Sequence, residues 1–423
     1  QYKDVARKIE KLHIIFEASG IRKGDKIAVC GRNSSHWGVT FLATLTYGAV
    51  VVPILHEFKA DNVHNIVNHS EAKLLFVGDM VWENLNENAM PLLEGIFLMT
   101  DFSILVSRSE KVDYAREHLN ELFGKKYPKN FRKEHISYHK DQPEELAVIN
   151  YTSGTTSYSK GVMLPYRSLW SNTTFAFEVL SLNSGDKVVS MLPMAHMYGL
   201  AFEFLYEIAV GCHIYYLTRM PSPKIIFQAF AEVKPRIVIA VPLIIEKIIK
   251  KNVLPKLETP TMKLLLKVPF VNDKIKATVR DQVIQAFGGN FEEVIIGGAA
   301  FNHDVEQFLK MIDFPYTVGY GMTECGPIIC YEDWKRFKPG SCGKAAPRME
   351  VKILSPDPEN IPGEIICRGS NVMLGYYKNE EATRDVLEPD GWLHTGDLAL
   401  MDREGNVTIK GRSKNMLLGP SGQ

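Results

Sequence analysis

The sequence predicts an α/β fold: two helix-flanked, mostly parallel sheets followed by a small distorted β-barrel. Three observations carry this expectation. Short β-branched apolar runs alternate with amphipathic helical patterns through the first 328 residues. Beyond that point the helical patterns give way to short strands between Gly, Pro and Asp turns. The chain has 423 residues, of which 45% are hydrophobic and 23% charged, enough to bury a large core without disulfides or metals.

Residues 2–16 place Tyr2, Val5, Ile9, Leu12 and Phe16 on one helical face, and Gly20 ends that helix. A strand over 26–30, a helix over 37–47, a β-branched strand over 49–54, a helix over 61–69 and a strand over 73–77 complete the first alternating run. The pattern resumes with a strand at 145–151, a helix at 167–180, a strand at 187–191, a helix at 201–210, a strand at 212–216 and a helix at 224–232. Residues 237–245 are apolar but broken by Pro242, so they read as a buried strand leading into a helix. Strands at 293–296 and 316–320 close the series. Downstream, 351–354, 363–368, 398–401 and 406–410 read as antiparallel strands, with a tight hairpin at Asp402-Arg403-Glu404-Gly405. The expected division is one domain over 1–411, with two α/β subdomains in 1–328 and a β-barrel subdomain in 329–411, then a hinge over 412–423. The chain opens in mid-helix and stops in a loop, so a longer natural protein is expected.

Charge excludes one broad class of function. Lys+Arg and Asp+Glu are both 49, which removes the usual reason to expect nucleic-acid binding. The six cysteines, Cys30, Cys212, Cys325, Cys330, Cys342 and Cys367, form no Cys-x-x-Cys pair and match no usual zinc spacing. They read as reduced thiols of a cytoplasmic protein. No apolar run is long enough to span a bilayer, and the N-terminus shows no signal peptide. Residues 246–282 carry nine Lys/Arg against four Asp/Glu, interleaved with Ile, Leu and Val. The favoured reading is a solvated helical face. Peripheral contact with the inner face of an anionic membrane is the alternative.

Four segments carry chemistry. Tyr151-Thr152-Ser153-Gly154-Thr155-Thr156-Ser157-Tyr158-Ser159-Lys160-Gly161 follows a hydrophobic strand and offers small hydroxyls, glycines and one lysine. Backbone N–H groups of such a loop can form an anion nest, to which hydroxyl donors and an ammonium add. It is not a Walker loop, which needs Gly before Lys and Ser or Thr after it. A flexible polar loop is the alternative. Gly319-Tyr320-Gly321-Met322-Thr323-Glu324 offers close backbone approach, a flat aromatic face, a hydroxyl donor and a hard carboxylate suited to Mg²⁺; the alternative is a glycine turn with an exposed acid. In Gly391-Trp392-Leu393-His394-Thr395-Gly396-Asp397, the aspartate can accept hydrogen bonds from a ribose diol, or be a turn residue. In Gly411-Arg412-Ser413-Lys414-Asn415, the arginine can reach ribose or phosphate as a forked donor, or simply be a solvated basic turn. Two weaker pieces are Gly297-Gly298-Ala299-Ala300, too small to block a flat ring, and His196, a lone histidine among apolar residues in 192–199.

In this order, the segments resemble the adenylate-forming superfamily of acyl-CoA synthetases, luciferases and peptide-synthetase adenylation domains, and look most like the long-chain fatty-acyl-CoA synthetases. The resemblance implies the large N-terminal domain of that fold. It implies ATP, Mg²⁺ and coenzyme A as cofactors and a fatty acid as substrate, with acyl-AMP and pyrophosphate formed before thioester. Thr152, Ser153, Gly154, Thr155, Thr156 and Lys160 would cradle the phosphates. Tyr320 would stack on adenine beside Gly298, Ala299 and Ala300, within the segment Gly319, Tyr320, Gly321 and Met322. Thr323 would touch the α-phosphate, and Glu324 with Thr155 would bind Mg²⁺. Asp397 would hold the ribose, supported by Arg412. Lys414 matches a hinge position, and His196 would lie beside the acyl entrance. Ser157 and Ser159 stand where the family usually has Gly and Pro. The family's C-terminal domain, with its adenylation lysine, is expected past Gln423, so residues 1–423 are expected to bind nucleotide but adenylate poorly. Residues 191–201 contain no acid to bind a substrate ammonium, which favours an uncharged acyl tail. Medium-chain or aryl acids, or a nucleotide-binding homologue without catalysis, are the alternatives.

Overall fold

The computed structural model describes residues 1–152, 159–218 and 221–413. It divides into two units. The first comprises Gln1–Leu169, Pro193–Met197 and Met373–Thr383. Its centre is an eight-stranded sheet. Five strands run parallel in the order Leu146–Thr152, Val50–Ile54, Lys26–Cys30, Leu74–Val77 and Gly95–Leu98. Antiparallel strands close both edges: Ile104–Ser107 on one side, Lys160–Pro165 and then Gly375–Tyr376 on the other.

Apart from Lys26, Asn150 and Thr152, the parallel strands carry apolar or aromatic residues because both faces of the sheet are covered. Alternate residues feed different cores. Ile27, Leu74 and Phe76 pack with Ile9, Leu12, Ile15 and Phe16 of the helix Tyr2–Ala18 and with Val39 and Ala43 of the helix Ser35–Tyr47. Ala28, Leu75 and Val77 face the opposite core, with Val63, Ile66 and Val67 of the helix Ala60–Ser70. Phe76 also stacks on Phe97, with ring centroids 4.9 Å apart. Burying such a side chain stabilises the unit by roughly 2–3 kcal/mol. Ser34 caps its helix by accepting from the Trp37 N–H at 3.1 Å, and Gly48 ends it at φ +90°. Of the predicted stripe on the first helix, Tyr2 is 59% exposed; it precedes the turns that reach the sheet.

The second unit comprises Trp170–Leu192, Tyr198–Val372 and the chain from Arg384 on. Lys187–Ser190 pairs in parallel with His213–Tyr216. Ile237–Ala240, Glu293–Ile296 and Tyr316–Val318 form a three-stranded parallel sheet. Its core joins Val238, Ala240, Val294 and Ile296 to Phe230, Ile245, Val283 and Phe287. Pro242 opens the helix Pro242–Asn252 at its first turn, where a missing N–H costs nothing. The predicted helix over 201–210 begins instead as a π-helical turn, Ala201–Leu205, before the α-helix Tyr206–Val210. Its buried Glu203 accepts from the N–H groups of Met191 at 3.0 Å and Leu192 at 2.7 Å.

Two expectations need revision. The strand predicted over 316–320 breaks at Gly319: Tyr316–Val318 stays in the parallel sheet, while Tyr320–Gly321 starts an antiparallel sheet with Ile328–Tyr331 and Lys344–Ala345. The β-rich segment is an open antiparallel sheet in the order Met349–Leu354, Gly363–Gly369, Leu393–Met401 and Val407–Arg412. Among the described residues it does not close into a barrel. Four strands are too few to wrap around a filled interior.

Candidate functional site

In the first unit, Thr152 and Lys160 stand opposite each other in the register of two antiparallel strands. Both ends of the hydroxyl-rich segment are therefore fixed by the sheet. Ser153, Gly154, Thr155 and Thr156 lie outside the described residues, as does Lys414. The Lys160 ammonium lies 5.0 Å from the centre of the Tyr376 ring, an attraction that steers the cation without neutralising it. Gly161 is required by crowding: a Cβ there would come within 2.9 Å of both Tyr151 and Ile149. The Tyr151 hydroxyl lies 2.7 Å from Nδ1 of His69, which anchors this strand from its neighbouring helix.

His196 lies in a turn with its side chain exposed. Two buried asparagines hold the backbone just before it. The Met194 N–H donates to Asn33 Oδ1 at 2.8 Å, and Asn150 Nδ2 donates to the Ala195 carbonyl at 2.8 Å. Neither asparagine stands out in the sequence, because an isolated Asn carries no spacing signal.

In the second unit, Gly298, Ala299 and Ala300 are exposed immediately after the strand Glu293–Ile296. They rest on an ordered base. A Cβ on Gly297 would meet the Tyr198 ring at 3.2 Å, and the Tyr198 hydroxyl lies 3.2 Å from the carbonyls of Ala240 and Ile295. Gly298 has φ +89°, which makes glycine the low-strain choice at that turn.

The structure brings together three residues that the sequence singled out separately. The Tyr320 hydroxyl donates to Asp397 Oδ2 at 2.6 Å. Asp397 stands opposite Arg412 in register, and Arg412 Nε lies 3.4 Å from Asp397 Oδ1. Asp397 thus sits within a strand rather than in a turn. Its backbone N–H donates to Thr395 Oγ1 at 3.1 Å, and that hydroxyl donates to the Ile365 carbonyl at 2.8 Å. Burial first, then the charge of Asp397, pushes the Tyr320 phenol well above its ordinary value, so it remains a donor at every physiological pH.

Gly319 supplies the break between sheets, and at Gly321 the Pro327 carbonyl oxygen occupies the space of a Cβ. Met322 and Thr323 are half-buried. Glu324 is 9% exposed, within the short 3-10 turn Thr323–Cys325. One hard carboxylate fits Mg²⁺, which takes one or two carboxylates and completes its shell with water and phosphate oxygens.

Two supporting clusters escaped the sequence reading. Fully buried Asn172 donates to the Cys325 carbonyl at 3.0 Å and accepts from the Ile328 N–H at 3.0 Å. It spans the turn that follows Glu324. His394 lies 2.9 Å from Glu364 Oε2 through Nδ1 and 2.6 Å from Glu388 Oε1 through Nε2. Hydrogen bonds to Glu364 and Glu388 raise its pKa. Glu364 also accepts from the Gly396 N–H at 3.0 Å, which ties this cluster to the residue before Asp397. The only sequence signal was the position of His394 within the Asp397 segment.

Residues 1–377 match the family described as AMP-binding enzyme. The chain is 28% identical to long chain acyl-CoA synthetase 3 of Arabidopsis thaliana, over 98% of its own length and 66% of that protein's. It is 27% identical to the probable 4-coumarate–CoA ligase 2 of Dictyostelium discoideum, over 98% of its length and 72% of that protein's. Among solved structures, the anthranilate CoA ligase AuaEII in complex with anthranoyl-AMP superposes with a TM-score of 0.79 at 18% identity, covering 98% of this chain and 73% of that one. ATP-bound MatB from Rhodopseudomonas palustris gives 0.75 at 22% identity, covering 99% and 74%. These structural likenesses establish the fold, and the chain spans about two thirds of the length of the acyl-CoA synthetase it matches.

Proposed function

This chain belongs to the AMP-binding enzyme family, and on that premise we propose that it activates a carboxylic acid with ATP, forming acyl-AMP and pyrophosphate, and then passes the acyl group to coenzyme A. The observation that carries this reading is the bonded trio Tyr320, Asp397 and Arg412, joined through the Gly319 N–H, which donates to the Ile296 carbonyl at 2.9 Å, to the end of the strand that the small residues Gly297, Gly298, Ala299 and Ala300 follow. A phenol, a carboxylate and a guanidinium suit an adenosine: a flat face for the purine and acceptors for the ribose diol.

A carboxylate is a poor acyl donor because oxide would have to leave. Attack of its oxygen on the α-phosphorus expels pyrophosphate and yields a mixed anhydride, whose later leaving group is AMP. The barrier is largely charge crowding, so fixed cations and donors should supply most of the stabilisation. Lys160 is proposed to supply positive charge to the phosphates, from its position at the end of the hydroxyl-rich segment. Thr323 is proposed to donate to the α-phosphate. Glu324 would hold Mg²⁺, which when bound spreads the negative charge of the polyphosphate.

For the acid, a long-chain fatty acid is the preferred reading. Curated relatives named as long chain acyl-CoA synthetases support it. An aryl acid is the second reading, supported by the 4-coumarate–CoA ligase relatives. One experiment tests both levels: incubate the full-length protein with ATP, Mg²⁺, coenzyme A and acids of graded chain length, alongside an aryl acid, and identify the nucleotide product. AMP and pyrophosphate with a long-chain optimum are expected. Release of ADP would overturn the reaction class, and an aryl optimum would overturn the substrate.

A further inference from the structure

The end of the helix Pro260–Leu265 and the link from it to the helix Val271–Ala286 turn most of their apolar side chains outward. Leu264 is 67% exposed, Leu265 38%, Val268 44% and Phe270 84%. Most soluble surfaces scatter such residues singly; a run of four within seven positions marks an interaction site. Phe270 has φ +62°, a conformation that bulky residues rarely adopt. An aromatic residue in a disfavoured backbone region, projecting into solvent, gains nothing from the fold around it.

Lysines surround this apolar run. Lys263 immediately precedes it and Lys267 lies within it, both exposed, and Lys274 is exposed one helical turn beyond Phe270. Residues 247–276 hold eight lysines against two acids, a local excess of +6 in a chain whose net charge is zero. On the helix Pro242–Asn252, exposed Leu243, Lys247, Lys250 and Lys251 recur at helical spacing. A merely solvated basic face would place polar groups between its lysines. Here leucine, valine and phenylalanine stand there instead.

We propose that this segment is a membrane-docking surface: Leu264, Leu265, Val268 and Phe270 insert at the acyl boundary of an anionic leaflet while the flanking lysines engage its headgroups. Charge complementarity selects the occupant. A lysine cluster around a small apolar tip matches a surface that is negative outside and hydrocarbon beneath. The longest segment in contact is short, and among the described residues no helix is long and apolar enough to cross a membrane, so attachment is peripheral. The proposal is independent of the reaction assigned above.

Co-sedimentation with vesicles tests it. One vesicle set is phosphatidylcholine alone and the other is equal parts phosphatidylcholine and phosphatidylglycerol. Binding is expected to the second set, and to fall with added salt as the charges are screened. Each lysine near an anionic surface contributes roughly fivefold to partitioning, so Lys263→Glu with Lys267→Glu should reduce it by more than roughly 25-fold. Leu264→Ser with Phe270→Ser should reduce it comparably, whereas Leu92→Ser, at an exposed apolar position outside this segment, should not. All these side chains are exposed, and melting curves will confirm that the variants fold. No binding to the anionic vesicles, or binding that both double variants retain, overturns the proposal. So does concentration-dependent self-association of the chain that Leu264→Ser with Phe270→Ser abolishes, since that would make the surface a contact between copies.

Discussion

Replacing Asp397 with alanine tests the proposed nucleotide site most directly, because competing contributions there can be ranked. The Asp397 side chain is 14% exposed, and Tyr320 already donates to one of its oxygens at 2.6 Å. Two ribose hydroxyls donating to the carboxylate would form charge-assisted bonds of roughly 1.5–3 kcal/mol each. Taking the low end, because water must be displaced, gives about 3 kcal/mol, or roughly 100-fold in Kd. Arg412 contributes far less: it is 71% exposed and 3.4 Å from Asp397, and an exposed pair is worth at most about 1 kcal/mol. Asp397→Ala should therefore weaken ATP binding by about two orders of magnitude and Arg412→Ala by about fivefold. Calorimetry with ATP and with 2′,3′-dideoxy-ATP separates this from a folding defect. The wild type should discriminate between the two nucleotides, and Asp397→Ala should not. Asp397→Asn, which keeps an acceptor for Tyr320, guards against loss of structure. If the alanine variant binds both nucleotides as the wild type does, Asp397 does not hold the ribose.

Three further outcomes follow from the geometry. His394 has a raised pKa in the fold through its bonds to Glu364 and Glu388. Its stabilising contribution is fully present below the ordinary imidazole value of 6.5 and fades as pH rises through the raised one; the melting-temperature gap between wild type and His394→Gln should narrow over that interval, and a gap that widens with pH would contradict the charge assignment. Asn172→Ala orphans a carbonyl and an N–H in a fully buried turn, so denaturant unfolding should show a loss of roughly 2–3 kcal/mol, and a loss below about 0.5 kcal/mol would mean that the turn repacks. Burial raises the pKa of Glu207 from 4.5 to about 8, so its contribution to stability is present below 4.5 and is lost as pH rises to about 8; Glu207→Gln should flatten the stability profile across that range and be the more stable form above it, by up to about 5 kcal/mol, as read from melting curves at graded pH.

What the sequence determined by itself was local. The stripe of Ile9, Leu12 and Phe16, the predominantly apolar strands and the break at Pro242 each follow from short-range sterics and from which side of an element avoids water. The positions where small residues were singled out, Gly298 and Gly321, are sites of a left-handed turn and of close backbone approach. Only the tertiary structure decided which of these pieces meet. The bond from Tyr320 to Asp397 spans 77 positions and depends on the register of strands in different sheets. Asn172 reaches a turn more than 150 positions away, and Glu364 and Glu388 converge on His394 from separate elements. The edge strands, the break at Gly319 and the open β-sheet belong to the same class. Hydrophobic periodicity records that a face is buried, but not against what, whereas a hydrogen bond needs a donor and an acceptor placed within a few tenths of an ångström. That placement is a property of the packed chain.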